Sequence, residues 1–250
     1  MFSIANQLKS VKMYVGSFLF SIGSVVTLVL FTPVSLVAYV LPYPKRYVLL
    51  RQWSRSMLWW LKITCNLTHK VEGIENLPSG PAIVFSNHQS AWETLFLQQI
   101  IPPMAWVLKR ELLWIPFFGW NLFLLEPIAI HRKAGRKALH ILLKEGKKRL
   151  SEGRWIVVFP EGTRVAPGQS SRYAIGGAML AEKTGVPVVP VAHNAGEYWG
   201  KRSFLKTPGV IRIVVGPPLS TVGRRADEIN AEVRTWIENT LSFRSEDTPQ

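Results

Sequence analysis

The stretch PAIVFSNHQSAWETLFL, residues 81–97, joins an apolar run to a helical pattern through a short polar turn. Residues 81–87 are almost continuously apolar, as in a strand buried on both faces of a sheet. The pattern that follows predicts a helix over Ala91–Ile100. The stretch is therefore a β–α unit, with His88 and Glu93 at the junction between its strand and its helix.

Glu93 has two interpretations. With Ser90 it matches the S-x-x-E capping box, in which each side chain satisfies a backbone N–H at the helix start. With His88 it forms a candidate catalytic dyad, a histidine base oriented by a carboxylate. Residues five apart on one helix point about 140° apart, so the dyad requires His88 to lie in the turn before the helix. Both interpretations stay open at this point.

Strands and helices alternate beyond this unit. Helices are predicted at Gly135–Glu152, Tyr173–Gly185 and Arg224–Ser242. The other predicted strands lie in MAWVLK (104–109), PIAIHR (127–132), WIVVFPEG (155–162), VPVVPVAHN (186–194) and VIRIVVGPPL (210–219). This alternation predicts an α/β fold, a sheet covered by helices.

The N-terminal segment is strongly apolar. Residues 13–44 contain no charged side chain. As one helix they would extend about 48 Å, which exceeds the roughly 30 Å hydrocarbon core of a bilayer. Pro33 would kink the run, and a tilted span, a kinked span and a re-entrant hairpin all fit. Residues 1–67 are therefore predicted to form membrane-anchoring helices, arranged as a hairpin.

Cations and tryptophans follow this apolar segment. They predict an interfacial location, with indole rings at headgroup depth and cations against lipid phosphates. The residues concerned are Trp53, Trp59, Trp60, Lys45, Arg46, Arg51, Arg55 and Lys62. More cations follow the apolar run than precede it, so the positive-inside bias places the main domain on the cytoplasmic face. That domain is predicted at residues 68–243, followed by a frayed tail at 244–250.

Composition limits the classes of function. The formal net charge of +14 and the pI of about 10.2 favour anionic partners. The single cysteine, Cys65, excludes an intrachain disulfide. The sequence contains no phosphate-binding P-loop, no G-x-S-x-G elbow, and neither H-E-x-x-H nor a Cys/His cluster for zinc. Net charge alone favours nucleic-acid binding, so no nucleic-acid partner is predicted.

One further stretch, ELLWIPFFGWNLFLLEP at residues 111–127, is dense in bulky apolar side chains but too short to span a bilayer. It predicts either core packing or the lining of a hydrocarbon groove, and the sequence does not separate these two.

Four blocks, taken in order, resemble the motifs of the glycerolipid acyltransferases, most closely the bacterial 1-acyl-sn-glycerol-3-phosphate acyltransferases. The blocks are NHQSAWE (87–93), VLKRELLWIPFFGW (107–120), VVFPEGTR (157–164) and VPVVPVAHN (186–194). The resemblance covers about Val71 to Leu219 and implies a mixed sheet covered by helices. The family usually has aspartate at the position of Glu93, and glycine and aspartate at those of Glu126 and His131.

The resemblance implies an enzyme that acylates the free hydroxyl of lysophosphatidate to give phosphatidate for phospholipid synthesis. His88 and Glu93 would act as general base, without an acyl-enzyme, and Lys109 would contact phosphate or oxyanion. The resemblance assigns acceptor binding to the turn Glu161, Gly162, Thr163 and Arg164. An acyl thioester, on coenzyme A or on acyl-carrier protein, would be the co-substrate, and no metal or organic cofactor is implied.

The expected location is the bacterial inner membrane, with anionic lipid and acyl-carrier protein as further partners. Two alternatives remain. The first is the same chemistry on another lyso-lipid, such as a lyso-ornithine lipid. The second is a membrane lipid-binding protein without catalysis.

Overall fold

Seven strands form one mixed sheet in the computed structural model of the chain, which describes residues 4–245. The strands are β1 Leu67–Glu72, β2 Ile83–Ser86, β3 Met104–Lys109, β4 Ile128–Ile130, β5 Trp155–Val158, β6 Val188–His193 and β7 Gly209–Val215. The helices are α1 Ile4–Val37, α2 Tyr43–Cys65, α3 Trp92–Ile100, α4 Phe118–Leu124, α5 Arg136–Ser151, α6 Gly176–Thr184, α7 Ala195–Tyr198 and α8 Ala226–Ser245. Each helix and strand predicted in residues 81–242 is present, within a few residues of its predicted ends.

The sheet has the order β1-β7-β6-β2-β5-β3-β4. The five strands from β6 to β4 are parallel to one another, whereas β7 runs antiparallel to β6. Val84 of the central strand β2 lies opposite Val157 of β5 and Val189 of β6. Parallel strands end at the same edge of a sheet. The turns that follow β2, β3 and β5 therefore lie close to one another and to the last residue of β6. Ligand sites of open α/β sheets lie at this carboxyl edge.

Helices cover both faces of the sheet, which explains the continuous apolar runs. Ile83 and Phe85 of β2 pack toward the layer of α5, α6 and α8. Val84 points to the opposite face and joins the cluster that includes Trp92, Phe96 and Leu97 of α3. Burial on both faces places β2 at the centre of the molecule and holds the start of α3 rigidly above its end.

Strand β1 was not among the predicted strands. Its sequence, LTHKVE, contains only two apolar residues, and it lies at the edge of the sheet. Pairing with β7 aligns Leu67 with Gly209 and Glu72 with Val214. Strand formation here depends on a partner about 140 residues away, which local periodicity does not report.

The two N-terminal helices pack closely against each other. A Cβ atom on Gly16 of α1 would lie 2.1 Å from the backbone oxygen of Thr64 in α2, so only glycine permits this approach. Helix α1 continues past Pro33 to Val37. Residues 7–40 are long and apolar enough to cross a membrane, with a mean hydropathy of 2.0, and 17% of their most apolar window is buried. This helix is consistent with association of the chain with a membrane.

Helix α2 also packs into the hydrophobic core on one face of the sheet. Tyr47, Leu50 and Leu61 belong to the same buried cluster as Val84 of β2. The predicted boundary at residue 67 therefore separates two regions that share one hydrophobic core.

The prediction that Arg46 meets lipid phosphates was wrong. Arg46 is 4% exposed, and its guanidinium is paired with Glu126 and donates to the Tyr39 carbonyl. A buried guanidinium must be paired, and the partner that allows its burial is 80 residues away in the sequence. Of the tail predicted to fray at 244–250, residues 246–250 lie outside the described residues.

Candidate active site

The turn between β2 and α3 shows that the contacts expected from the two interpretations of Glu93 are compatible, because its carboxylate makes both at once. Glu93 Oε1 lies 2.7 Å from Nδ1 of His88 and accepts hydrogen bonds from the backbone N–H groups of Gln89 (3.0 Å) and Ser90 (2.9 Å). Ser90 Oγ in turn accepts from the backbone N–H of Trp92 at 3.2 Å. The Glu93 carboxylate therefore satisfies the backbone N–H groups of the turn that leads into α3 and also contacts the imidazole.

The position of His88 in the turn makes the contact with Glu93 geometrically possible. His88 precedes the helix by four residues, so its ring reaches back over the first turn of α3. The ring stacks on Phe159, with centroids 4.1 Å apart and planes inclined by 15°. It remains 15% exposed, whereas Glu93 is fully buried. Because an ionised carboxylate only accepts, Nδ1 carries the proton, and Nε2 is the ring nitrogen available as a base.

The turn that follows β5 holds the main chain of His88 from both sides. The backbone N–H of His88 donates to Oε2 of Glu161 at 3.1 Å, and its carbonyl accepts from the N–H of Val165 at 2.8 Å. Gly162 adopts φ 67°, a left-handed conformation that favours glycine and lets the turn reverse beside His88. The first and third blocks, NHQSAWE and VVFPEGTR, are thus joined through the backbone of His88.

The ionisation of the two carboxyl groups differs. Burial opposes the charge on Glu93, but the neighbouring His193 and His88 and the Ser90 N–H favour it more strongly, so the pKa of Glu93 lies below its ordinary value. For Glu161, burial dominates, the Glu93 charge adds to it, and the His88 N–H only partly compensates. The pKa of Glu161 is therefore raised to about 7.

The His88 ring lines an apolar cavity of about 240 Å³. Its walls come from α1, α2, α3, β3 and α4, and include Leu28, Phe31, Leu50, Leu112, Phe118 and Leu122. The stretch 111–127 therefore lines a groove along part of its length, while Trp114 and Phe123 in the same stretch are exposed. A cavity of this composition fits a hydrocarbon chain.

Three cations lie in the wall of the same cavity: Lys109, Arg132 and Arg164. Two of them are predicted site residues, and Arg132 was missed. Arg132 follows β4. The sequence could have indicated it, because it comes directly after His131, one of the positions at which this chain differs from the family. The structure does not bring Thr163 to the cavity wall, since its hydroxyl instead accepts a hydrogen bond from Lys201 at 3.3 Å.

Comparison with known proteins gives a consistent result. A model of the acyltransferase family matches residues 68–194. A 1-acyl-sn-glycerol-3-phosphate acyltransferase of Pseudomonas aeruginosa is 42% identical over 210 residues, 82% of this chain and 82% of that protein. The human 1-acyl-sn-glycerol-3-phosphate acyltransferase alpha is 32% identical over 183 residues, 71% of this chain and 64% of that protein.

The fold also has a counterpart among solved structures. The crystal structure of the 1-acyl-sn-glycerophosphate (LPA) acyltransferase PlsC from Thermotoga maritima matches with a TM-score of 0.80. The match covers 97% of this chain and 100% of that chain at 24% sequence identity. The likeness confirms the predicted fold class, a mixed α/β sheet with helices.

Proposed function

The chain belongs to the acyltransferase family, and from this premise we propose that it transfers a fatty acyl group from an acyl thioester to the free hydroxyl of 1-acyl-sn-glycerol-3-phosphate. The product would be phosphatidate, and the second product the free thiol of the carrier. The observation that carries the proposal is the His88–Glu93 contact of 2.7 Å, with the His88 ring in the wall of an apolar cavity that also holds three cations.

The chemistry needs one base and no covalent intermediate. Nε2 of His88 takes the proton of the acceptor hydroxyl as its oxygen attacks the thioester carbonyl carbon. Glu93 holds the proton on Nδ1 and stabilises the imidazolium as it forms. Collapse of the tetrahedral intermediate breaks the C–S bond, and the imidazolium returns the proton to the departing thiolate.

The three cations in the cavity wall bind the phosphate of the acceptor and so position it. Arg164 and Arg132 offer planar guanidinium groups that match phosphate oxygens, and each charge-assisted hydrogen bond contributes roughly 1.5–3 kcal/mol. Lys109 supplies a third positive charge for the phosphate or for the oxyanion of the intermediate. With the phosphate against these residues and the acyl chains against the apolar walls, the free hydroxyl is held near Nε2. Glu161 supports this arrangement by bonding to the His88 backbone.

The donor and the location belong to the same proposal. Exposed cations follow β3 and β4 at the carboxyl edge of the sheet, and include Arg110, Lys133, Arg136 and Lys137. They suit the phosphates of coenzyme A and the acidic surface of a carrier protein alike. Helix α1 would hold the enzyme at the inner membrane of a bacterium, with the sheet on the cytoplasmic face and anionic lipid around the N-terminal helices.

The test is acyl transfer by the purified full chain in detergent. Radiolabelled acyl-coenzyme A and acyl-carrier protein are each offered with lysophosphatidate, a lyso-ornithine lipid and lysophosphatidylcholine. Transfer to lysophosphatidate at the highest kcat/KM is expected, and a preference for the lyso-ornithine lipid would contradict the proposed acceptor.

The variant His88→Ala distinguishes catalysis from lipid binding. It should lose transfer by at least about a thousandfold while it still partitions into vesicles like the wild type. Wild-type binding to vesicles without transfer to any acceptor would instead indicate a lipid-binding protein.

A further inference from the structure

A second histidine lies on the other side of the Glu93 carboxylate. His193 is the last residue of β6 and is 2% exposed. Its Nε2 lies 4.0 Å from Oε2 of Glu93, while His88 contacts Oε1 of the same group. His193 does not line the cavity, so it does not touch a substrate held there.

The hydrogen bonds of His193 determine its tautomer. Nδ1 accepts from the backbone N–H of Ala195 at 3.3 Å, and a nitrogen that accepts carries no proton. Nε2 is therefore the donor, and its partner is the carbonyl oxygen of Asn87 at 2.9 Å. Because Nδ1 accepts, the ring is neutral, and burial lowers the pKa of His193 against the opposing influence of Glu93.

The side chain of Asn87 strengthens the same connection. Its Nδ2 donates to the His193 carbonyl at 2.8 Å, and its Oδ1 accepts from the His193 backbone N–H at 3.0 Å. Both residues are almost fully buried. The Asn87 carbonyl belongs to the peptide that leads directly into His88, so three hydrogen bonds tie the approach to His88 to the end of β6.

We infer that His193 is a positioning residue for acyl transfer, acting through its Nε2–H bond to the Asn87 carbonyl. This bond fixes the peptide before His88, and the contacts of Glu161 and Val165 fix His88 itself. Together these bonds set the angle of the His88 ring toward Glu93 and the cavity. The inference rests on the proposed function. Because His193 stays outside the cavity, its loss affects the rate of transfer and leaves substrate binding unchanged.

The test compares two substitutions in the purified full chain. His193→Leu removes the N–H donor but retains a buried apolar side chain. His193→Gln places an amide N–H near the position of Nε2 and restores the bond to Asn87. We expect His193→Leu to lower kcat at least tenfold with KM for lysophosphatidate within twofold, and His193→Gln to recover kcat to within about fivefold of the wild type.

An NMR measurement tests the tautomer of His193 independently of enzymatic activity. In the full chain labelled with ¹⁵N-histidine, the His193 resonances should show a protonated Nε2 and a bare Nδ1 at neutral pH. A protonated Nδ1 would overturn the inference. So would an unchanged kcat in His193→Leu, or, if that variant does not fold, a folded His193→Gln with kcat reduced more than tenfold.

The two levels of proposal fail in different ways. If the wild-type chain transfers no acyl group to lysophosphatidate from either donor, the proposed function and this inference both fall. If the wild type is active and the histidine variants keep its kcat, this inference alone is wrong.

Discussion

The Glu93 carboxylate has contacts on two sides, to the backbone N–H groups of the turn and to the His88 ring. The family usually places aspartate here. The additional methylene of glutamate lets the carboxylate reach back to Ser90 in the geometry of a capping box while it still contacts Nδ1. The two roles are separable because only one of them requires negative charge.

Substitution of Glu93 by glutamine keeps an acceptor for the turn but removes the charge beside His88. We expect kcat to fall by about 10²–10⁴-fold, because the tautomer and the imidazolium lose their support. The matched control is Ser90→Ala, which removes the bond to the Trp92 N–H. It should cost about 0.5–2 kcal/mol of stability and leave activity within about threefold. Nearly full activity in Glu93→Gln would show that the residue serves only as a cap.

The raised pKa of Glu161 should make the free energy of unfolding depend on pH. Its pKa is raised from 4.5 in the unfolded chain to about 7, so the native state binds more protons between these values. Stability contributed by the neutral carboxyl is therefore complete below pH 4.5 and is lost as the pH rises to about 7. Glu161→Gln has no such group, and its amide oxygen still accepts from the His88 N–H.

The measurement for Glu161 is the thermal midpoint of both proteins from pH 5 to pH 8. The thermal midpoint of Glu161→Gln minus that of the wild type should rise by roughly 2–6 °C between pH 5 and pH 7 and stay constant above pH 7. This corresponds to a change of about 1–2 kcal/mol in the free energy of unfolding. The other titrating groups contribute equally to the thermal midpoints of both proteins, so their contributions cancel in the difference. A difference that is constant over this range would contradict the raised pKa.

At the level of elements, Glu126 joins α2, α5 and the start of β5. It pairs with Arg46 of α2 and with Arg154 at 2.8 Å, and lies 3.6 Å from Arg149 of α5. Its backbone adopts φ 47°, a conformation that favours glycine, which agrees with the glycine that the family commonly has at this position. In this chain the ion pairs offset the backbone cost.

Replacement of Glu126 by glycine should therefore destabilise the protein although it relieves the backbone. Arg46 would be left buried without a counter-charge, and we expect a loss of about 1–3 kcal/mol after allowing for the partial exposure of Glu126. Adding Arg46→Met, which removes the charge and keeps most of the volume, should recover at least half of the loss. A double-mutant cycle of thermal unfolding in detergent tests this, and additive effects would exclude coupling.

The elements that the sequence predicted are those with strong local signals. The run PAIVFSN predicted β2 because burial on both faces requires apolar residues at every position. The contacts it did not predict join residues far apart in the sequence. Asn87 and His193 are 106 positions apart, and Arg46 and Glu126 are 80 apart, so their polar side chains look like ordinary surface residues until the sheet brings them together.

In the whole molecule, the apolar N-terminal helix and the candidate active site share one cavity. Leu28 and Phe31 of α1 line it together with His88 and Arg164. The hydrophobic helix α1 is therefore part of the candidate active site. Acyl chains held between α1 and the sheet would keep contact with apolar walls on the way from the lipid phase to His88.

Two of the cations near the carboxyl edge of the sheet lie where they oppose helix stability. Helix α5 begins with Arg136 and Lys137 and has no acidic residue in its first turn. Cations at a helix N-terminus meet the positive end of the helix dipole, which costs about 0.3–1 kcal/mol each. We propose that these two cations bind the anionic carrier of the acyl group.

The double variant Arg136→Glu and Lys137→Glu should therefore be as stable as the wild type or more stable, yet bind the donor more weakly. We expect KM for the acyl thioester to rise about tenfold at low salt and much less at high salt, with kcat within twofold. The control is Lys147→Glu and Lys148→Glu, the same charge change about 16 Å along α5. It reverses cations near the helix C-terminus, so it should lower the thermal midpoint and leave KM within twofold. Equal increases in KM for both variants would show that net charge, and not the position of these cations at the carboxyl edge of the sheet, attracts the donor.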